Sequence, residues 1–314
     1  MSVRFERPAS LAEATHLLAG GGWQVLAGGT DVYPSHVGRP PRAPLLDITG
    51  IAALRGIRRT AAGWSIGAAT TWTDVLRADL PPLFDALKQA AREVGGVQVQ
   101  NMGTVAGNLC NASPAADGVP VLMALDAEVV LRSGEGERRC PAVDFVLGSR
   151  RTACAPHELV VALEVPARSS AARSVFRKLG GRRYLTISMT MVAVALDVDA
   201  AGVVAHAGVA VGSCSAVAQR LPALERRLVG RALVDALEQP SAGRALGGAF
   251  EQPLAGGRLA GRALGGGFAG ALEDLVEPAD LAPLAPIDDL RASAAYRLDA
   301  SATLLRRALQ ELRA

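Results

Sequence analysis

The stretch QNMGTVAGNLCNASPAADGVPVL, residues 100–122, decides how this sequence is interpreted. Gly103 lies just before Thr104, and Gly107, Asn108 and Asn111 follow, while bulky and charged side chains are scarce. Glycine lets a ligand approach the backbone closely, and Thr and Asn supply neutral hydrogen-bonding groups. The apolar run VPVLMAL comes next and can bury the segment against a core. The composition therefore predicts a surface built to lie against a ligand.

The stretch VLAGGTD, residues 25–31, is a second glycine-bearing segment. A predicted strand ends at Gly28 and Gly29, whose backbone N–H groups can form an anion-binding nest, and Thr30 adds a hydroxyl donor. The same pattern also fits a tight turn without a ligand. Because a carboxylate repels phosphate, we expect Asp31 to accept backbone N–H groups or to contact a neutral part of a ligand.

Two phosphate-compatible segments in one half of the chain predict a site for a large, flat, anionic dinucleotide. Asp117, which precedes a glycine, is a candidate acceptor for ribose hydroxyls. The chain has no G-x-G-x-x-G opening a helix of a βαβ unit, and no P-loop signature. The predicted site is therefore neither a Rossmann site nor a P-loop.

Length and charge limit the remaining possibilities. The chain has 314 residues, enough for two domains, and its net charge of +3 is too small and too evenly spread to indicate a nucleic-acid partner. The N-terminus lacks the apolar segment of a signal peptide, and no run of eighteen apolar residues suggests a membrane span, so we expect a cytoplasmic protein. The four cysteines form no CxxC pair and are expected to be small buried thiols rather than metal ligands: Cys110, Cys140, Cys154 and Cys214.

The pattern of elements predicts an α+β fold. Helices and strands mix irregularly in the first half, and the polar stretch ARSSAAR, residues 167–173, predicts a domain boundary. Three strand-like runs then predict an antiparallel meander, although ISMTMVAVALDV, residues 187–198, also fits a helix. The Gly-rich stretch 240–285 is expected to be loosely ordered and without function, and a long helix is expected near the C-terminus.

The two glycine segments together resemble the FAD-binding subunits of molybdenum hydroxylases. That family includes the medium subunit of carbon monoxide dehydrogenase and the flavin domain of xanthine dehydrogenase. Its second motif is similar to T-[IV]-G-G-N, then A-S-P and an Asp; here it runs from Thr104 to Asn108, then Ala112 to Pro114, then Asp117. Ala106 replaces the first glycine of the pair, which is tolerated if its φ is ordinary. An arginine often found before the motif is replaced by Gln100-Asn101.

The resemblance implies a fold and a set of cofactor contacts. Residues 1–167 would form a two-subdomain FAD-binding domain of the molybdenum hydroxylase/vanillyl-alcohol-oxidase type, split near residue 53. Residues 173–314 would form a small C-terminal antiparallel-sheet-and-helix domain. Lys178 matches a lysine near the flavin, although a solvated surface lysine fits equally. The implied FAD-binding residues are Ala27, Gly28, Gly29, Thr30, Asp31, Thr104, Gly107, Asn108, Asn111, Asp117, Val160 and Lys178.

The resemblance also implies a task. In this family, electrons from a molybdenum centre on a large partner subunit pass through 2Fe-2S clusters on a small partner to FAD, and leave to a small-molecule acceptor. FAD would be the cofactor of this chain, whereas the metal cofactors would belong to its partners in a heterotrimer or its dimer. No catalytic residue or metal ligand is expected in this chain. A stand-alone FAD-dependent oxidase, which would turn over substrate by itself, and a non-enzymatic nucleotide-binding or assembly protein, which would lack flavin, are the alternatives.

Overall fold

The computed structural model describes residues 4–38, 40–233 and 272–313. Its helices are α1 (Leu11–Ala19), α2 (Val32–Ser35), α3 (Trp72–Arg77), α4 (Asp85–Glu93), α5 (Val97–Met102), α6 (Val105–Asn111), α7 (Gly118–Ala124), α8 (Ala142–Phe145), α9 (Pro222–Leu228) and α10 (Ala294–Arg313). Its strands are β1 (Phe5–Glu6), β2 (Gln24–Leu26), β3 (Leu45–Asp47), β4 (Ile57–Thr60), β5 (Gly63–Gly67), β6 (Glu128–Arg132), β7 (Glu137–Pro141), β8 (Val146–Gly148), β9 (Arg151–Thr152), β10 (Leu159–Pro166), β11 (Arg173–Gly180), β12 (Ser188–Val198), β13 (Val204–Gly212) and β14 (Gln219–Arg220). The predicted α+β class is confirmed.

The N-terminal sheet is small and parallel, with strand order β1-β3-β2. Helix α1, which connects β1 to β2, is capped by Ser10, whose side chain accepts the backbone N–H of Glu13. The Glu13 carboxylate accepts the N–H of Ala9. Since β2 and β3 run in the same direction, the turn at Gly28 and the 3-10 helix that follows β3 lie at one edge of the sheet.

The second sheet is antiparallel, with strand order β4-β5-β10-β6-β7. Strand β10 lies at its centre and pairs with both β5 and β6, with a bulge between Val160 and Ala162. The hairpin from β6 to β7 turns at residues 133–136, a stretch rich in glycine and polar residues. In this sheet, the start of β10 lies next to α6.

The stretch that opens the sequence analysis folds into three short helices, α5, α6 and α7, and not into open turns. The sequence pattern of this segment predicted none of these three helices. Its helices are six or seven residues long and contain Gly and Asn, which have low helix propensity. Burial stabilises α7, whose residues are all buried, and part of α6, where Val105, Ala106 and Leu109 are buried, whereas α5 has no buried residue.

The C-terminal sheet has strand order β11-β12-β13-β14 and forms the predicted antiparallel meander. Residues 188–198 form strand β12, so the helical alternative is excluded. Side chains of β12 alternate between two hydrophobic cores: Met191 and Ala193 face the core of the N-terminal half, whereas Val192 and Val194 face a second core against α9 and α10. The sheet is therefore covered on both faces.

Asp126 links the two halves of the chain through ion pairs. It follows α7 with a φ of +52° and accepts hydrogen bonds from Arg168, which lies after β10, and from Arg220 on β14. The ring Nε2 of His206 lies 2.8 Å from the same carboxylate. Helix α7 also packs directly on β13, where a Cβ on Gly208 would lie 2.0 Å from the carbonyl oxygen of Ala124.

Most of the Gly-rich stretch lies outside the described residues. Its end, residues 272–285, is described and contains two 3-10 helices, Leu272–Leu275 and Pro278–Leu281. Asp280 is fully buried there and accepts a hydrogen bond from Arg227 of α9, so the expectation of loose order is wrong for these residues. The proposed domain boundary at residues 167–173 and the split near residue 53 stay predictions. Among the described helices, none has the length and apolar character needed to cross a membrane.

Candidate functional site

A cavity of about 520 Å³ opens where the parallel sheet, α6 and the start of β10 meet. Its size falls within the usual range for small-molecule and cofactor sites. The parallel strands contribute their carboxyl ends, the edge at which open α/β sheets bind ligands. Ten of the predicted site residues line it: Ala27, Gly28, Gly29, Thr30, Asp31, Thr104, Gly107, Asn108, Asn111 and Val160. The structure therefore brings both glycine segments to one cavity.

The first wall is the turn after β2. Gly28 lies against α5, where an added Cβ would be 1.8 Å from the carbonyl oxygen of Met102, and Gly29 has a φ of +70°. Within the part of the chain that the structure describes, the backbone N–H groups of Gly28, Gly29 and Thr30 have no protein acceptor. Neighbouring N–H groups without an acceptor form a concave donor surface that suits a phosphate oxygen.

The second wall is the first turn of α6. Thr104 is the N-cap, and its hydroxyl accepts the backbone N–H of Gly107 at 2.9 Å. An added Cβ on Gly107 would lie 2.6 Å from that hydroxyl oxygen, which explains the need for glycine there. Ala106 is helical and has no positive φ, so the condition under which alanine can replace glycine there is met.

Asn108 serves the helix packing as well as the cavity. Its side-chain carbonyl accepts the backbone N–H of Gly118 at 3.2 Å, which ties α6 to the start of α7. This leaves the amide N–H₂ of Asn108 as the donor that the cavity side offers. A side chain on Gly118 would collide with Trp72 and with Asn108, so these two helices approach closely.

Asp117 and Lys178 do not line the cavity. They form a buried ion pair, with Nζ of Lys178 at 2.8 Å from Asp117 Oδ2 and both side chains 7% exposed. The other Asp117 oxygen accepts the hydroxyl of Ser188 at 2.8 Å. Burial is the largest effect on Asp117 and raises the pKa of that carboxyl. The alternative of a solvated surface lysine is excluded, and the predicted ribose and flavin contacts of these two residues stay predictions.

Arg150 joins two of the predicted residues at the cavity. Its Nη1 donates to the side-chain oxygen of Asn111 and lies 3.5 Å from Asp31 Oδ1. Asn111 ends α6, and Asp31 ends the glycine turn, so the guanidinium connects the two walls. Asp31 thus pairs with a cation rather than with backbone N–H groups, and the expectation for its partner is wrong in that respect.

The sequence reasoning missed several groups that line the cavity. Cys110 and Cys154 both face it, and burial raises the pKa of Cys110 to about 12 and that of Cys154 to about 11. Cys110 is exposed and Cys154 is partly exposed where they face the cavity, so the expectation of buried thiols is wrong for these two cysteines, whereas Cys140 and Cys214 are buried. Both thiols are neutral at ordinary pH.

Glu158 is the second carboxylate of the cavity wall. Arg138 of β7 binds both of its oxygens, at 2.6 and 2.7 Å, and the N–H of Ala155 adds a third hydrogen bond. The arginine hydrogen bonds hold the pKa of Glu158 below its ordinary value. Nothing in the local sequence pairs Glu158 with Arg138, because twenty residues separate them.

The fold and the cavity, which opens at the carboxyl ends of a small parallel sheet, are those expected of a protein that binds a dinucleotide cofactor. Residues 1–168 match the family model described as the FAD binding domain in molybdopterin dehydrogenase. The chain belongs to this family.

Named relatives agree with this assignment. The chain is 32% identical to the glyceraldehyde dehydrogenase medium chain of Sulfolobus acidocaldarius over 236 residues, which cover 74% of this chain and 82% of that one. It is 33% identical to the nicotinate dehydrogenase FAD-subunit of Eubacterium barkeri over 67% of this chain and 72% of that one. A structure of reconstituted CO dehydrogenase from Oligotropha carboxidovorans superposes with a TM-score of 0.80 at 26% identity, over 100% of this chain and 98% of that one. The chain is therefore an FAD-binding subunit of the molybdenum hydroxylase family, a flavoprotein component of an oxidoreductase.

Proposed function

We propose that this chain binds FAD in the cavity and accepts electrons from 2Fe-2S clusters on a small partner subunit. The substrate is oxidised on a large partner subunit that carries the molybdenum cofactor, and the electrons leave to a small-molecule acceptor. The three chains form a heterotrimer or its dimer in the cytoplasm. Residues 1–167 are the FAD-binding domain and residues 173–314 the C-terminal domain.

One observation carries the proposal: the glycine turn and the first turn of α6 face each other across a single cavity. The N–H groups of Gly28, Gly29 and Thr30, which have no acceptor among the described residues, are the donors for the diphosphate. Thr104 and Asn108 present neutral groups from the opposite wall, and Val160 presents an apolar surface. These residues fit a cofactor that is anionic at its centre and apolar at its ring.

FAD, when bound, supplies the redox chemistry. The residues of this chain bind the cofactor, fix its orientation and exclude water from the part that they enclose. The thiols of Cys110 and Cys154 are neutral, and Glu158 is held by Arg138, so these side chains leave no reactive anion unpaired beside the cofactor.

Purification of the chain alone and together with both partner subunits tests the proposal. We expect the isolated chain to contain or to bind FAD, seen as flavin absorbance, and to oxidise no substrate. We expect the complex to contain molybdenum and iron, and to reduce its flavin when its substrate is added. Substrate turnover by the isolated chain would instead support a stand-alone FAD oxidase, and a folded chain that refuses FAD would refute the proposal.

A further inference from the structure

The charges around the cavity present a problem for an anionic cofactor. The described lining residues include two carboxylates, Asp31 and Glu158, and no Lys or Arg. A diphosphate beside uncompensated carboxylates is repelled. Two arginines that lie just outside the cavity wall pair with these two carboxylates.

These two arginines are held differently. Arg138 is committed to Glu158 through two hydrogen bonds and also donates to the carbonyl of Ala153. Arg150 reaches Asp31 and Asn111 with a single guanidinium nitrogen, Nη1, and its side chain is 58% exposed. Arg150 is therefore the cation that contacts both walls proposed to bind the diphosphate. Because its side chain is exposed, its charge carries no large desolvation cost.

The backbone fixes the position of Arg150. It adopts a φ of +60°, and its N–H donates at 2.9 Å to the carbonyl of Ala112, the left-handed residue that follows α6. This anchoring does not depend on the side chain. A change of the side chain can therefore remove the charge while the loop keeps its attachment to α6.

We infer that Arg150 is a positioning residue for FAD: it neutralises Asp31 and ties the glycine turn to the end of α6, so that the diphosphate meets a closed, uncharged rim. The inference rests on the proposed binding of FAD in this cavity. Because the effect acts through phosphate charge, it predicts that Arg150 matters for FAD and not for riboflavin, which lacks phosphate.

The test compares flavin affinities of the apoprotein by fluorescence titration at low and high salt. The substitution Arg150→Gln keeps a donor for Asn111 but removes the charge, and we expect it to raise the Kd for FAD about tenfold at low salt and less at high salt. The Kd for riboflavin should not change. Arg150→Lys should retain most of the FAD affinity, and Arg151→Gln, at the exposed neighbouring position, should behave as wild type.

A second carboxylate variant separates charge compensation from loop packing. With Asp31→Asn in place, we expect Arg150→Gln to have little further effect, about twofold or less. An unchanged FAD affinity in Arg150→Gln, an equal loss for FAD and riboflavin, or an undiminished tenfold effect on the Asp31→Asn background would each overturn the inference. If wild type binds FAD but Gly28→Ala does not alter that binding, the placement of FAD in this cavity fails, which is a different result.

Discussion

Gly28 and Met102 are in contact through their backbones: a Cβ at position 28 would lie 1.8 Å from the Met102 carbonyl oxygen and 2.9 Å from Cα of Gly103. The contact joins the turn after β2 to the end of α5, two segments that are far apart in sequence. It sets the distance between the two walls of the cavity. The close approach of Met102 therefore requires glycine at position 28, in addition to any requirement of a ligand.

Replacement of Gly28 by Ala should open the cavity and weaken FAD binding. The new methyl group cannot fit beside a backbone carbonyl, so the turn must move, and we expect a stability loss of about 1–3 kcal/mol. Flavin content after purification and urea unfolding would measure the two effects. Gly134→Ala is the matched control, because an added Cβ there meets nothing within 4 Å. Equal flavin content in both variants would contradict this role for Gly28.

Disruption of the Asp117–Lys178 pair should destabilise the protein strongly. Each single change, Asp117→Asn or Lys178→Met, leaves a buried charge without its partner, and we expect each to cost about 3–5 kcal/mol. The double variant should lose much less than the sum, because no isolated charge remains. Urea unfolding of all four proteins gives the coupling. Lys88→Met, at a half-buried position on α4, serves as the control. Strict additivity would show that the pair is not coupled.

Several elements could be predicted because their signals are local. Ser10 and Glu13 mark the start of α1, and alternating apolar residues mark strands such as β12, whose two faces meet two cores. The paired glycines and Thr104 gave most of the cavity, because glycine beside a ligand and a threonine hydroxyl as a hydrogen-bonding group can be recognised within a few residues. The N-cap role of Thr104 was found only in the structure.

The rest depends on tertiary contacts that short windows do not contain. Helices α6 and α7 were missed because their buried faces and not their propensity stabilise them, and α5 was missed because it is a short helix of six residues. Arg150 reaches Asp31 across 119 residues, and the nearby sequence gives no sign of that pairing. Asp117 was predicted as a cofactor contact from its position before a glycine, and Lys178 from a resemblance, and only the fold shows that they bind each other.

Lowering the pH should reduce the stability of the folded protein, partly because Glu158 becomes protonated. Its folded-state pKa lies below its ordinary value of 4.5 because Arg138 stabilises the carboxylate. The stabilisation is therefore fully present above pH 4.5 and is lost as the pH falls through the lower, folded-state pKa. We expect Glu158→Gln to be less stable than wild type near neutral pH and to show a smaller further loss below pH 4.5. Thermal unfolding between pH 3 and 7 measures the difference, and parallel curves for the two proteins would count against it.

Cys110 and Cys154 should react slowly with iodoacetamide, and FAD should protect them further. Burial raises their pKa values to about 12 and about 11, so at pH 8 only about one Cys154 thiol in a thousand is ionised, and fewer at Cys110. Alkylation, followed by peptide mass spectrometry, should accelerate as the pH rises towards 11 in the folded apoprotein. Saturating FAD should slow it because both thiols line the cavity. Cys214 is the internal control, since it is buried in the C-terminal core and should show no dependence on FAD. Rapid labelling of Cys110 at pH 8, or equal FAD protection of Cys214, would show that the thiols are not enclosed by the cofactor site.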